Sequence, residues 1–376
     1  MTRTAKLLCD LIALPSVNPA FLPERHPHAG EKRVAEFLAS IGAKAGLDIE
    51  FQKVFPHRPN LLARLTPTGK IRQRILLAPH LDTVNVVDAG QLTPRKVGDR
   101  LYGRGACDTK GSVAAMFEAV CELARARNRP QETEIIFVGL VDEENAQGGS
   151  RALAASRMKA DLAIVGEFTQ LAIATAHKGS VWLEVETRGK AAHGATPQLG
   201  KNAVHAMVRV VEAIEVDYGR KLRRKKHPML GHGTVNVGTI RGGTQPNIVP
   251  DQCMISVDRR TLPGETEASA RRELETFLRG RKLNARVSNV KLKPCPPLET
   301  DATLPLVRQF LRTAGQRRPE CVHYFCDAAV LAEGGIPSVV FGPGDIAQAH
   351  TADEWVSEKQ LDRARDMLLR FLKSLP

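Results

Sequence analysis

The run Ile75-Leu76-Leu77-Ala78-Pro79-His80-Leu81-Asp82-Thr83 decides the architecture. Five apolar residues in unbroken succession are the pattern of a strand buried on both faces, and the run ends abruptly in an imidazole and a carboxylate two positions apart. Working outward, Glu31 to Ile41 repeats its apolar residues at helical spacing, and Gly111 to Arg127 reads as a long helix. Glu134 to Val141 reads as a second core strand and Asp161 to Val165 as a third. Strands alternating with helices predict an α/β sheet covered on both faces, with polar residues gathered beyond the strands' C-terminal ends.

The texture changes near Lys178. Val181 to Thr187 alternates like a half-exposed strand, Asn202 to Val216 reads as an amphipathic helix, Thr234 to Ile240 and Cys253 to Val257 as strands, and Thr266 to Arg279 as a helix. That order is a split βαβ pattern, α+β and ferredoxin-like. After Lys293-Pro294-Cys295-Pro296-Pro297 the α/β texture returns, with a strand at Ile336 to Phe341 and a closing helix whose Leu361, Ala364, Leu368, Phe371, Leu372 and Leu375 share one face. The expected organisation is a discontinuous larger domain, 1–177 and 294–376, with a smaller domain, 178–293, inserted in it.

Composition narrows the functions. The 376 residues are 43% hydrophobic and 25% charged, the balance of a globular chain. No apolar stretch reaches membrane-spanning length and the N-terminal apolar run is too broken for a signal segment, so a soluble cytoplasmic protein is expected. Seven scattered cysteines, none in a CxxC pair, argue against a disulfide scaffold and a thiolate zinc site. The net charge of +13 and the run Arg220 to Lys226 raise nucleic acid as a partner. One short basic run with 5% aromatics reads better as a solvated loop, so nucleic-acid binding is not expected.

Chemistry concentrates in four places. His80 and Asp82 follow the first core strand; Asp108 sits in the glycine-rich turn Gly103-Arg104-Gly105-Ala106-Cys107-Asp108 that opens the long helix. Asp142-Glu143-Glu144 leaves the second strand, and Glu167 follows the third. His350 stands apart in Gln348-Ala349-His350-Thr351. Each alone is unremarkable, but carboxylates crowded beyond buried strands are costly unless cations neutralise them. Carboxylates and imidazoles without cysteine suit zinc, cobalt or manganese. The glycine-rich turn lacks the spacing of a phosphate loop.

Taken in order, the segments HLDTV, GRGACDTKG, DEEN, GEFT, AAHGATPQLGKNA, NVGTIRGGTQPNIVPD, DRRTLPGE and FGPGDIAQAHTADEWV resemble the M20 metallopeptidases and deacylases. The resemblance implies an α/β/α zinc-exopeptidase-like catalytic domain carrying an inserted lid and dimerisation domain. It implies two divalent metal ions, zinc first with cobalt or manganese as alternatives, bridged by Asp108. His80 and Glu167 would complete one site, and Glu144 and His350 the other. Asp82 would orient His80, and Glu143 would be the general base, taking a proton from the water that bridges the metals and returning it to the leaving amine. From the inserted domain, His193 would reach a partner subunit's active site to stabilise the oxyanion, while Asn247 and Arg260 would hold the substrate. The motifs are most similar to the family's acetylornithine deacetylase branch, which implies a homodimer acting on a small N-acyl amino acid in arginine biosynthesis. Succinyl-diaminopimelate desuccinylase, aminoacylase and dipeptidase are the alternatives; outside the class stands an inactive binding or scaffold protein. Phe168 and Cys326 depart from the usual pattern and are expected to shape the pocket.

Overall fold

In a computed structural model of the chain, which describes residues 1–290 and 293–376, two compact units are present. One comprises Met1–Thr175, Thr300–Cys321 and Cys326–Pro376; the other comprises Ala176–Glu299 and Val322–Phe325. The joints fall at Thr175/Ala176 and Glu299/Thr300 rather than at 177/178 and 293/294, because Leu298 and Glu299 pair antiparallel with His177 and Ala176 and stay with the second unit.

The first unit is organised by strands β1 (Asp48–Phe55), β2 (Arg58–Leu65), β3 (Gln73–Pro79), β4 (Thr133–Gly139), β5 (Leu162–Gly166) and β6 (Ser338–Phe341). They lie in the order β1-β2-β4-β3-β5-β6. The sheet is parallel from β4 through β6, and antiparallel where the β1–β2 hairpin joins β4. Every residue of β4 and β5 is buried, as continuous apolar strands require. Strand β1 escaped the sequence reading because it lies at the exposed sheet edge, where no apolar run is needed.

Helices cover both faces. On one lie α1 (Arg3–Ile12), α2 (Lys32–Lys44), α3 (Lys110–Arg125), α5 (Pro305–Ala314) and α7 (Glu358–Lys373), sharing a core with Ile75, Leu77, Ile135, Phe137 and Ile164. The other face carries α4 (Gly148–Ala155) and α6 (Asp327–Glu333), which pack on each other, α6 also meeting β5 and β6. Helix α7 begins where Ser357 accepts the Gln360 N–H, and it buries Leu361, Ala364, Leu368, Phe371 and Leu372, the stripe read from its spacing. Phe117 of α3 meets Phe137 of β4 edge to face, with ring centres 4.9 Å apart. This rigid core fixes where β3, β4 and β5 end, and therefore where the chain beyond them begins.

The second unit is an antiparallel sheet ordered Thr234–Gly242, Gln252–Thr261, Gly179–Arg188, Arg286–Asn289. With its helices Ala203–Glu212 and Glu267–Gly280 it forms the expected split βαβ sandwich, cored by Leu183, Val185, Met207, Ile255, Val257 and Leu274. The helix expected to run to Val216 instead loosens into a π-helical stretch, Ala213–Tyr218.

Candidate metal centre

Five chain segments converge beyond the C-terminal ends of β3, β4 and β5. His80 follows β3 directly and is buried, with Nδ1 3.0 Å from the Asp82 carbonyl oxygen. That carbonyl can accept the Nδ1 proton, and Nε2 is turned towards Asp108 Oδ1 at 3.0 Å and Glu167 Oε1 at 4.0 Å. On the other side of Asp108, Oδ2 lies 3.0 Å from His350 Nε2, which is itself 3.2 Å from Glu144 Oε2. Donor atoms around a tetrahedral zinc with bonds near 2.1 Å sit about 3.4 Å from one another, a separation that these 3.0–4.0 Å pairs bracket. His80, Asp108 and Glu144 each offer a donor atom within 4.8 Å of the others. Glu144 Oε1 is buried without a hydrogen-bond partner among the described residues, the state of an oxygen that suits a cation.

The electrostatics agree. Burial, then the neighbouring Asp108 carboxylate, pushes Glu144 up to about 7. Burial likewise drives Glu143 and Glu167 well above the carboxylate range, with Glu167, Asp327 and Glu144 crowding the first and Asp108, Asp327 and Glu144 the second. Burial alone would lower His80, but its hydrogen bonds to Asp108 and Asp82 overcome it and hold the imidazole well above its usual value. His350, half exposed, is raised to about 10 by Asp108 and Glu144. A cluster that draws protons this strongly is one in which divalent cations replace them to advantage.

Asp82 has a wider task than orienting His80. Its carboxylate is 3.4 Å from the ring nitrogen but accepts the backbone N–H groups of Glu143 and Glu144, each at 3.1 Å, and an amide hydrogen of Asn18 at 2.8 Å. Asn18 gives its other amide hydrogen to Asp142 at 3.0 Å. One buried carboxylate thus joins the end of β3 to the end of β4. Neither Asn18 nor this double acceptance was visible in the sequence, since partners 61 to 64 residues away leave no local pattern. Asp327 also went unread as a site residue: it is buried, receives the Ser150 hydroxyl and is raised to about 7 by burial.

Neither Cys107 nor Cys326 is poised as a thiolate nucleophile. Burial and then Asp108 push the Cys107 thiol far up, and burial and then Glu167 do the same to Cys326. Phe168 and Cys326 are both buried.

His193, Asn247 and Arg260 belong to the second unit. His193 pairs with Ile248, and Asn247 O accepts the Gly194 N–H at 2.7 Å, so the two exposed loops run side by side. Arg260 donates through Nε to Asp258 at 2.9 Å. In the basic run, Arg220 pairs with Asp217, Lys221 with Glu273 and Lys225 with Glu265, which supports the solvated reading over a polyanion site.

Comparison with known proteins gives the family and the fold. The pattern of peptidase family M20/M25/M40 matches residues 76–374. Acetylornithine deacetylase of Myxococcus xanthus is 34% identical over 345 residues, covering 87% of each chain. That of Aliivibrio salmonicida is 30% identical over 355 residues, covering 91% of each. Among solved structures, aminopeptidase PepT from Bacillus cereus superposes with a TM-score of 0.79 at 21% identity, over 99% of this chain and 97% of that one. A dinuclear metal-binding M20 peptidase from Bacillus subtilis gives 0.71 at 14% identity, over 99% and 97%. These last two likenesses speak for the fold.

Proposed function

This chain belongs to peptidase family M20/M25/M40 and is a metal-dependent hydrolase, and on that premise we propose that it removes the acyl group from a small N-acylated amino acid, N-acetylornithine before others. The observation that carries the reading is the double use of Asp108, one oxygen towards His80 and the other towards His350, with Glu167 and Glu144 flanking them. The names of the relatives that match most of the chain support the acetyl group and the ornithine side chain.

His80, Asp108 and Glu167 would hold one divalent cation, and His350, Asp108 and Glu144 a second; nitrogen and oxygen donors at this spacing favour zinc. When bound, such a pair acidifies a shared water and polarises the amide carbonyl. Glu143, anchored by its backbone on Asp82, would take a proton from the water as its oxygen adds to the carbonyl carbon, and deliver that proton to the amide nitrogen as the C–N bond breaks, releasing the acyl group as a carboxylate and the amino acid as a free amine. His193 donates to the oxyanion from the partner subunit, and Asn247 and Arg260 hold the α-carboxylate end.

A homodimer is supported by strand Thr234–Gly242, which is the last of its sheet among the described residues and bears Ile240 at 54% exposure, and by exposed Val208 on the adjoining helix. Cys9, Cys107, Cys121, Cys253 and Cys326 form no disulfide, which supports a reducing, cytoplasmic setting, and no helix among the described residues is long and apolar enough to cross a membrane. Arginine biosynthesis is the pathway this substrate implies.

The test is a panel of N-acetylornithine, N-succinyl-diaminopimelate, N-acetylmethionine and a dipeptide, with kcat/KM measured for each. Acetylornithine should be the fastest; if it is the slowest, the assignment passes to whichever substrate leads.

A further inference from the structure

Glu354 takes no part in the chemistry above, yet few side chains in the first unit are so fully engaged. It is 1% exposed. Its Oε1 accepts the backbone N–H groups of Cys107 and Asp108, both at 2.9 Å, while Oε2 accepts the Gly105 N–H at 3.0 Å and the Arg104 guanidinium at 2.7 Å. Arg104 is itself 2% exposed, and the Glu354 carbonyl accepts the Gly103 N–H at 3.0 Å. All these donors belong to the turn that presents Asp108. The turn has no ladder of its own to fix its shape, and Gly103 and Gly105 occupy positive φ, where other residues are strained.

Four positions before Glu354 stands His350, whose Nε2 meets Asp108 Oδ2 at 3.0 Å. Between them, Gln91 donates to the carbonyls of Thr351 and Ala352 at 3.3 and 2.9 Å, and its own carbonyl accepts the Arg104 N–H at 2.8 Å. The segment 350–354 and the turn 103–108 are therefore fastened together, and the two side chains that face each other across the join are ligands of one cation site.

We infer that Glu354 is a positioning residue: by accepting four donors of the Asp108 turn it fixes the separation of Asp108 from His350, and with it the affinity of the cation site these two share with Glu144. The inference rests on the two-metal reading. Its chemistry is a matter of counting acceptors. A carboxylate offers two oxygens that each take two donors; a carboxamide offers one such oxygen and an NH2 that accepts nothing. Glu354→Gln therefore strands two buried donors whichever way the amide turns, either Gly105 N–H with Arg104 or Cys107 N–H with Asp108 N–H, and the turn must move to find water or other partners. Glu354→Asp keeps all four acceptors but retracts them by about 1.5 Å. The site built on His80 and Glu167 also uses Asp108, through its other oxygen, and shares in any movement of the turn; its remaining ligands come from the ends of β3 and β5, which Glu354 does not touch, whereas the site shared with Glu144 also takes His350 from the segment that carries Glu354.

The test is calorimetric titration of chelator-stripped wild type, Glu354→Asp and Glu354→Gln with Zn²⁺, together with the visible spectrum of each protein loaded with Co²⁺. Wild type should show two binding events. In Glu354→Gln one should weaken about 10- to 100-fold, the usual effect of removing an outer partner of a metal ligand, while the other, which loses only the placing of Asp108, weakens by a clearly smaller factor and its component of the cobalt spectrum changes less. Glu354→Asp retains the charge opposite Arg104 and should show the same unequal loss, about tenfold at the more affected site, so the inference stays testable if Glu354→Gln does not fold. Equal weakening of both events, or unchanged affinities with only a lowered melting temperature, would overturn it. A wild type that takes up no metal overturns the two-metal reading first, and is told apart by the absence of any binding event to compare.

Discussion

Gly149→Ala tests whether packing beneath β4 sets the position of the general base. Gly149 lies in the first turn of α4, where its N–H donates to Val141 O at 2.8 Å and its carbonyl accepts from Asn60 at 2.9 Å. Asn60 in turn accepts the Val141 N–H at 3.1 Å. A Cβ at Gly149 would stand 2.5 Å from Val141 N, 2.6 Å from Val141 O and 2.5 Å from Asn60 Oδ1. Ordinary contact begins near 3.4 Å and nothing real is found below 3.0 Å, so helix and strand end must part by about 0.5–0.9 Å in a core that resists compression. Val141 is two residues from Glu143. A displacement of that size stretches the bonds from Glu143 and Glu144 to Asp82, now 3.1 Å, beyond useful length. Misplacement by 1 Å costs on the order of 100-fold in rate, so a fall in kcat of about 10- to 100-fold is expected. Overpacking should cost about 1–3 kcal/mol, which lowers the melting temperature by roughly 2–12 °C in a unit of this size. The control is Gly280→Ala, where an added Cβ meets nothing within 4 Å and activity should not change. The assay is steady-state hydrolysis of the best panel substrate beside metal analysis and thermal melting. A Gly149→Ala enzyme with wild-type kcat would refute the claim that this packing positions Glu143.

Three further outcomes are expected. Glu143→Gln should lower kcat by about 10²- to 10⁴-fold, or 3–5 kcal/mol of barrier, with metal content still near two per chain; unchanged turnover removes Glu143 from the base's role. Stripping the metals with a chelator should abolish activity and destabilise the first unit, by about 2.7 kcal/mol for each site held at a hundred times its dissociation constant, both recovering on adding zinc; melting curves unaffected by chelator would count against the site. His177, fully buried with Nε2 unpartnered among the described residues, is lowered to about 4 by burial. Between pH 6.5 and 4 the unfolded chain binds a proton that the folded chain refuses, so stability falls as the pH drops through that window. His177→Gln should remove about 2–3 kcal/mol of the loss seen by urea unfolding in chelator between pH 7 and 4.5; an identical pH dependence in wild type and variant would exclude it.

Much of the fold was legible in order. Continuous apolar runs gave β3, β4 and β5, helical spacing gave α2, α3 and α7, and the change to alternating strands after Lys178 marked the inserted unit. These signals are local: burial on both faces, or on one, is imposed residue by residue and leaves a period in the chain. The residue types beyond each strand likewise told of cations, because so many acids at one sheet edge need them.

What the tertiary structure alone decided is which atom meets which. That Asp82 accepts from Glu143 and Glu144, that Asn18 joins Asp82 to Asp142, and that Glu354 holds the turn of Asp108 from 246 residues away follow from the side-by-side placing of β3, β4 and β5 and the return of the chain after β6. A hydrogen bond requires its partners within about 3 Å and tolerates little error in direction. A carboxylate read in isolation bears no mark of the donor that the packed sheet will bring to it.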